Sequence, residues 1–295
     1  MSREKLLEII NVKQYFEINR NNFIKALDDV SINIYKGEFL GLVGESGSGK
    51  STLGKSIVGV NKLTSGKILY DGIDISIKKN QKKIISENIQ FIFQDSTSSL
   101  NSRMTIGKII EEPLKFKKVY RNKEDRVQKV YDMLKLVGLD ESYINKYPYD
   151  FSGGQRQRVN IARALSTNPS FIIADEPIAS LDISMQAQII NLFKSLKEKM
   201  NLTCLFISHD LAMLRYISDR IAVIYNGKIV EIAETEELYS NPIHPYTKEL
   251  ITSILTVDIN NKFKVDINER SKFIIDNDNS RWIEVKKNHF VYLST

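Results

Sequence analysis

Gly44-Glu45-Ser46-Gly47-Ser48-Gly49-Lys50-Ser51-Thr52 follows the apolar run Phe39-Leu40-Gly41-Leu42-Val43, and no helix breaker comes after it until Gly54. A buried strand, a glycine-rich loop and a helix in that order make a phosphate-binding loop. The glycines let successive backbone N–H groups turn inward around an anion, and the helix opening after Gly49 adds its partial positive end. Lys50 is then placed to reach the β- and γ-phosphates of a nucleoside triphosphate, and the Ser51 hydroxyl to hold Mg2+. A Gly/Ser-rich turn matches such a pattern by chance now and then; the buried strand before it argues against chance.

A second apolar run, Phe171-Ile172-Ile173-Ala174, has the continuous hydrophobicity of a buried parallel strand and ends in Asp175-Glu176. Ligands of open α/β sheets sit at the carboxyl ends of strands. In a phosphate-loop protein Asp175 orients Mg2+ through water, and Glu176 polarises the water that attacks the γ-phosphorus. The bland alternative is a pair of helix-capping acids, helped by Pro177. Leu205-Phe206-Ile207 repeats the strand pattern before Ser208-His209-Asp210, and Gln186 to Met200 reads as the intervening helix.

Around this core the periodicities change. Short alternating runs with turn signals near 5 to 40 and 66 to 75, including Lys36-Gly37 and Asp71-Gly72, predict an antiparallel β-subdomain. From 96 to 165 the spacing is helical, with Val127, Val130, Tyr131, Leu134 and Val137 recurring before Gly138. Asn226-Gly227 is a second hairpin signal between Ile221-Ala222-Val223-Ile224 and Ile229-Val230. Beyond 255 the chain turns rich in Asn, Lys and Ile, with a loop expected at Asp276-Asn277-Asp278-Asn279, and no chemical role is assigned to it.

Ser152-Gly153-Gly154-Gln155, preceded by Phe151, opens another helical run; Ser152 suits a helix N-cap, and the two glycines expose backbone donors to an anion. With it the order of motifs is complete. The loop at 44–52, Gln94, Ser152 to Gln155, Asp175-Glu176, Ser180-Leu181-Asp182 and His209 resemble an ABC-type ATPase over residues from about 5 to 250. The resemblance implies an α/β fold: a RecA-like P-loop NTPase core with antiparallel β-subdomain (1–95 and 166–232), a helical subdomain (96–165) and a C-terminal extension (233–295). It also implies that two such domains pack head to tail, with ATP between the phosphate loop of one and the Ser-Gly-Gly-Gln helix of the other.

Further roles come from the same resemblance. Gln94 matches the glutamine that meets Mg2+ or the attacking water, Asp182 the loop residue that crosses the dimer interface, and His209 the histidine at the γ-phosphate. Tyr15 or Phe16 matches the aromatic that stacks on adenine, and either ring can equally staple the β-subdomain. Phe93-Gln94-Asp95 with 99–105, Tyr147-Pro148 before Phe151, and Asn241-Pro242-Ile243-His244-Pro245-Tyr246-Thr247 are similar to the oligopeptide/dipeptide/nickel importer ATPases. That subgroup implies a second, non-identical ATPase, two membrane permeases and, indirectly, an extracytoplasmic binding protein. Oligopeptides or dipeptides come first as cargo, nickel chelates or opine-like solutes behind them, and a soluble non-transport ATPase is the rival. Ser96 and Ser102 stand where the family often has proline. The iron–sulfur cluster that some relatives bind through four cysteines is not expected, because the chain's single cysteine is Cys204.

Composition sets outer limits. In 295 residues, 42% hydrophobic and 26% charged, the formal net charge is +6. That excess is mild, with no long basic run interleaved with aromatics, so no nucleic-acid partner is expected. Apolar runs fall far short of the roughly 20 residues of a spanning helix. The charged start Met-Ser-Arg-Glu-Lys lacks the apolar core of a secretory signal, which predicts a protein at the cytoplasmic face of the membrane, held there by its partners. Cys204, inside an apolar run, reads as a small core residue.

Overall fold

The computed structural model describes residues 3–19, 22–94, 99–117, 120, 122–255 and 280–294. The first part of the chain forms β1 (Lys5–Asn19), β2 (Asn22–Tyr35), β3 (Phe39–Val43), α1 (Lys50–Ile57), β4 (Ser65–Tyr70), β5 (Ile73–Asp74), α2 (Lys78–Asn88) and β6 (Ile89–Ile92). The α-helices α3 (Ile106–Lys117), α4 (Lys123–Leu136) and α5 (Gly153–Leu165) follow. Strands then alternate with helices through β7 (Phe171–Asp175), α6 (Ile183–Met200), β8 (Thr203–Ser208), α7 (Leu211–Ile217) and β9 (Arg220–Tyr225). The last described elements are β10 (Lys228–Glu234), α8 (Thr235–Ser240), α9 (Pro245–Leu255), β11 (Ser280–Lys286) and β12 (His289–Ser294).

Two sheets result. One has the order β2-β1-β4-β5, antiparallel throughout; the other has the order β11-β12-β10-β9-β3-β8-β7-β6. In the second, β9, β3, β8, β7 and β6 run parallel, and β10, β12 and β11 add antiparallel strands at one edge. Strand alternation sends neighbouring side chains into two different cores. Leu40, Leu42, Phe171, Ile173, Leu205 and Ile207 pack with the antiparallel sheet. Phe39, Val43, Ile172, Ala174, Cys204 and Phe206 pack with the helices on the opposite face. Both faces of the parallel strands are therefore covered, which is why they read as unbroken apolar runs.

One buried ion pair locks the two sheets at the entrance to β3. Arg220 Nε lies 2.6 Å from Glu38 Oε1, both side chains at most 6% exposed, and Arg220 Nη2 donates to the Asn33 carbonyl on β2. Turn chemistry follows the dipeptides: Asp71 and Gly72, and likewise Asn226 and Gly227, all have positive φ in two-residue hairpin turns.

Three expectations are refined. α6 begins at Ile183, three residues before the expected Gln186, because Asp182 caps it by accepting from the Met185 N–H at 2.9 Å. α4 buries Val130, Met133 and Leu134, with Met133 added to the expected stripe. The expected boundary between 232 and 233 falls inside β10, and the last hairpin, β11 with β12, extends the same sheet by pairing Glu231 with Val291. The expectations for Asp95, Ser96 and the loop at 276–279 lie outside the described residues.

Candidate functional site

The phosphate loop joins the end of β3 to the start of α1. Gly49 has a φ of +109°, a conformation side chains rarely adopt, and a Cβ there would meet the Ala26 carbonyl at 2.3 Å. α1 has no side-chain cap and no acidic residue in its first turn, so its leading N–H groups are left for an anion. Glu45, Ser46 and Gly47 form the exposed rim of the loop, and Ser48, Gly49 and Lys50 its buried floor. Ser51 and Thr52, in the first turn of α1, are half-buried.

Lys50 Nζ donates to the carbonyls of Gly44 at 2.7 Å and Glu45 at 2.8 Å. Burial holds its pKa below the usual lysine value, and the carboxylates of Glu176, Asp175 and Glu45 pull against that. Asp175, the last residue of β7, is the complement: burial pushes its pKa up and the Glu176 charge adds to this, while the hydrogen bond from Ser51 Oγ, at 2.8 Å, works the other way. A cation and an anion whose charged forms are both disfavoured by burial suit a ligand that brings charge of each sign: a phosphate chain and its metal.

Glu176 follows with a φ of +46°, unusual for a residue with a side chain. That turn aims its carboxylate at two groups. Gln94 Nε2 donates to Glu176 Oε2 at 2.8 Å, and His209 Nδ1 stands 3.3 Å from Oε1. His209 is placed by the turn after β8, where Ser208 Oγ accepts from the Asp210 N–H at 2.9 Å and Asp210 caps α7. The capping alternative for the acid pair fails, because no helix begins at Pro177; the next described helix starts at Ile183.

Ser152 caps α5 in a closed capping box: its Oγ accepts from the Gln155 N–H at 3.3 Å, and Gln155 Oε1 accepts from the Ser152 N–H at 3.0 Å. Gly154 packs so tightly that a Cβ would overlap the Met185 methyl, tying this helix to the start of α6. Ser152 and Asp182 are exposed, and no hydrogen bond joins them to the phosphate loop, Gln94, Asp175, Glu176 or His209 among the described residues. The structure thus gathers one set, Lys50, Ser51, Gln94, Asp175, Glu176 and His209, and leaves Ser152 and Asp182 exposed outside it, with Gly153 and Gln155 half-buried and Gly154 buried. Tyr15 is fixed by its hydroxyl, 2.5 Å from Asp28 Oδ1, with Lys25 Nζ 5.7 Å from its ring centroid, whereas the neighbouring Phe16 is exposed.

Two further groups at the site were not assigned by residue pattern. The Tyr246 hydroxyl accepts from the Glu45 N–H at 2.8 Å, and the Ser48 carbonyl accepts from the Gly227 N–H at 3.0 Å. Nothing local in the sequence around 246 announces the first, which spans 201 positions. A weaker signal was present in β10, where charged Glu231 interrupts the run Ile229-Val230-Glu231-Ile232-Ala233.

Comparison with known proteins places this geometry. The family model described as ABC transporter matches residues 27–179, and the one described as oligopeptide/dipeptide transporter, C-terminal region, matches 230–278. The oligopeptide transport ATP-binding protein OppF of Bacillus subtilis (strain 168) is 50% identical over 98% of this chain and 96% of its own length. The oligopeptide transport ATP-binding protein AmiF of Streptococcus pneumoniae is 44% identical over 98% of this chain and 95% of its own. Among solved structures, the dimeric cassette MJ0796 in a post-hydrolysis state bound to ADP and Pi superposes with a TM-score of 0.70 at 34% identity, covering 78% of this chain and 99% of that one. The structure of cbiO1 from Clostridium perfringens reaches 0.72 at 24% identity over 87% of this chain and 96% of its own, a likeness of fold.

Proposed function

The chain belongs to the ABC transporter family, among the oligopeptide transport ATP-binding proteins, and from that premise we propose that it is the ATP-hydrolysing subunit of a membrane importer for oligopeptides. The observation that carries the reading is the joined set at the ends of β3, β6, β7 and β8: Lys50 in the loop, Ser51 on Asp175, and Glu176 held between Gln94 and His209.

ATP is the substrate. The backbone donors of residues 44–52 and Lys50 bind and orient its phosphates, and Tyr15, whose ring is already fixed, stacks on adenine with Phe16 beside it. Glu176 accepts a proton from the attacking water as the new P–O bond forms on the γ-phosphorus and the bridging bond to the β-phosphate breaks, giving ADP and phosphate. His209 orients the γ-phosphate, and Gln94 holds Glu176 in line. At Ser51 the structure supplies a hydroxyl and a single carboxylate, Asp175, bonded to it. That fits Mg2+, which keeps waters and substrate phosphates among its ligands rather than filling an all-protein cage. Bound there it would offset phosphate charge, and Ser51, Asp175 and Gln94 are the residues that would hold it.

Ser152 and Asp182, exposed at the starts of α5 and α6, are read with Gly153 to Gln155 as the half-site offered to a second ATPase subunit. This partner is taken to be non-identical. No helix among the described residues is long and apolar enough to cross a membrane. The proposal places the chain at the cytoplasmic face, bound to two permeases that a solute-binding protein feeds from outside. ATP then acts first as the ligand that closes the dimer and second as the fuel that reopens it.

The test is ATPase activity of the purified chain alone and co-expressed with its partner ATPase and permeases, followed by peptide uptake into vesicles. Low activity alone that rises on assembly, with ATP-dependent peptide uptake, is expected. Full activity alone, indifferent to permeases, would overturn the importer reading in favour of a soluble ABC enzyme.

A further inference from the structure

Tyr246 takes no part in the reaction just described, yet it touches the loop that binds phosphate. It lies at the start of α9, 1% exposed, with its ring centroid 4.4 Å from that of Tyr225. Its hydroxyl oxygen accepts from the Glu45 N–H at 2.8 Å. The carbonyl of the same peptide unit, that of Gly44, accepts from Lys50 Nζ at 2.7 Å. One peptide plane at the mouth of the loop is therefore pinned from both ends, and each bond polarises the other. Burial pushes the Tyr246 hydroxyl up to about 12, so it stays neutral at physiological pH.

What fixes Tyr246 lies further along the chain. Glu231, fully buried on β10, accepts from the N–H groups of Ile243 and His244, each at 2.9 Å, and its Oε1 is 2.7 Å from His289 Nε2 on β12. His244 Nδ1 in turn accepts from the Tyr246 N–H at 3.2 Å. Burial lowers the pKa of His244 and so favours the neutral ring, and the Tyr246 N–H selects the tautomer in which Nδ1 accepts. On its other side His289 Nδ1 is 3.6 Å from Glu237, which pairs with Lys286 at 2.6 Å. A continuous set of hydrogen bonds thus runs from the last hairpin, through one buried carboxylate and the 243–244 backbone, to the phosphate loop.

We infer that Tyr246 is a positioning residue for the phosphate loop, and that the Glu231–His289 contact makes the C-terminal hairpin part of that loop's support. This deepens the proposed function and rests on reading residues 44–52 as the ATP loop. The role differs from packing because only the hydroxyl reaches Glu45, while the ring fills the space beside Tyr225.

The test uses the full chain, with a fluorescent trinitrophenyl-ATP and unlabelled MgATP as probes, and steady-state ATPase kinetics in the assembled complex. Tyr246→Phe keeps the ring, so its fold and Tm should stay near the wild-type values. It is expected to weaken nucleotide binding roughly five- to ten-fold, the effect of losing one neutral hydrogen bond that holds the loop, with the loss falling on KM rather than kcat. His289→Ala should weaken binding in the same direction, and His289→Gln, which retains a donor for Glu231, should recover it. Joined to Tyr246→Phe, His289→Ala should add less than two-fold, because both act through one bond. Equal nucleotide affinity in wild type and Tyr246→Phe would overturn the inference, as would fully multiplicative losses in the double variant. Should His289→Ala fail to fold, Tyr246→Phe decides alone. A wild-type chain that binds neither probe would instead sink the ATP reading itself.

Discussion

Gln94 and Glu176, 82 positions apart, are joined by a 2.8 Å hydrogen bond that holds one carboxylate oxygen while His209 stands 3.3 Å from the other. A carboxylate bracketed in this way has its remaining lone pairs directed to one small volume, as a base for a single water must. Glu176→Gln keeps the size and an oxygen to accept from Gln94 but loses the ability to take a proton. ATP binding should persist, turnover in the assembled complex should fall by about 10²- to 10³-fold, and the ATPase pair should remain associated on gel filtration in MgATP. Unchanged turnover would refute the role given to Glu176.

The Glu38–Arg220 pair makes a stability prediction. Both ions are buried, and Arg220 also donates to the Asn33 carbonyl, so removing the acid strands a guanidinium between the two sheets. Glu38→Ala should destabilise the fold by about 3–5 kcal/mol, with a lowered midpoint in urea unfolding. Glu38→Gln should cost less, since it leaves an acceptor. A loss under about 1 kcal/mol in the alanine variant would mean that water reaches the pair.

Cys204 predicts an inert thiol. It is fully buried in the core on the helical face of β8, and burial drives its pKa well above the usual thiol value, so little thiolate forms at neutral pH. Iodoacetamide should leave it unmodified in the native chain and label it fully in denaturant, as mass spectrometry would read. Rapid native labelling would show that β8 opens locally.

What the sequence disclosed and what it withheld divide along the range of the interactions. The phosphate loop, the acid pair after β7 and the N-cap at Ser152 are chemistries of neighbouring residues, so spacing alone exposes them. The Asp71-Gly72 and Asn226-Gly227 turns were legible for the same reason, their positive φ being a local demand. Asp182 was read for its part at a subunit interface, and its own helix cap, which starts α6 early, was missed. The Tyr246–Glu45 bond and the His289–Glu231 contact were not legible, since no local pattern says which strand the last hairpin will join. Glu231 gave a hint: a charge inside an apolar strand must find buried donors, and here they come from residues 243, 244 and 289.

Asp175 carries a pH dependence whose sign separates a ligand-binding carboxylate from a structural one. Its folded pKa lies above the ordinary aspartate value, chiefly through burial, so the folded chain binds that proton more tightly than the unfolded chain. Stability from this group is therefore present at low pH and is lost as pH rises through the window between the ordinary and the raised value; above the raised value the whole cost is felt. Asp175→Asn removes the charge and keeps an oxygen for Ser51 Oγ. Without nucleotide at pH 7 the variant should melt roughly 2–4 °C higher than wild type, and the gap should close as pH falls below the ordinary aspartate range. The gain is small because Lys50 loses one of three carboxylates that favour its charge. With MgATP the order should reverse, since wild type gains a metal-linked ligand that the variant holds weakly. Differential scanning fluorimetry over pH, with and without MgATP, reads both effects. A variant that melts lower than wild type at neutral pH without nucleotide would show that Asp175 serves the fold and not the ligand.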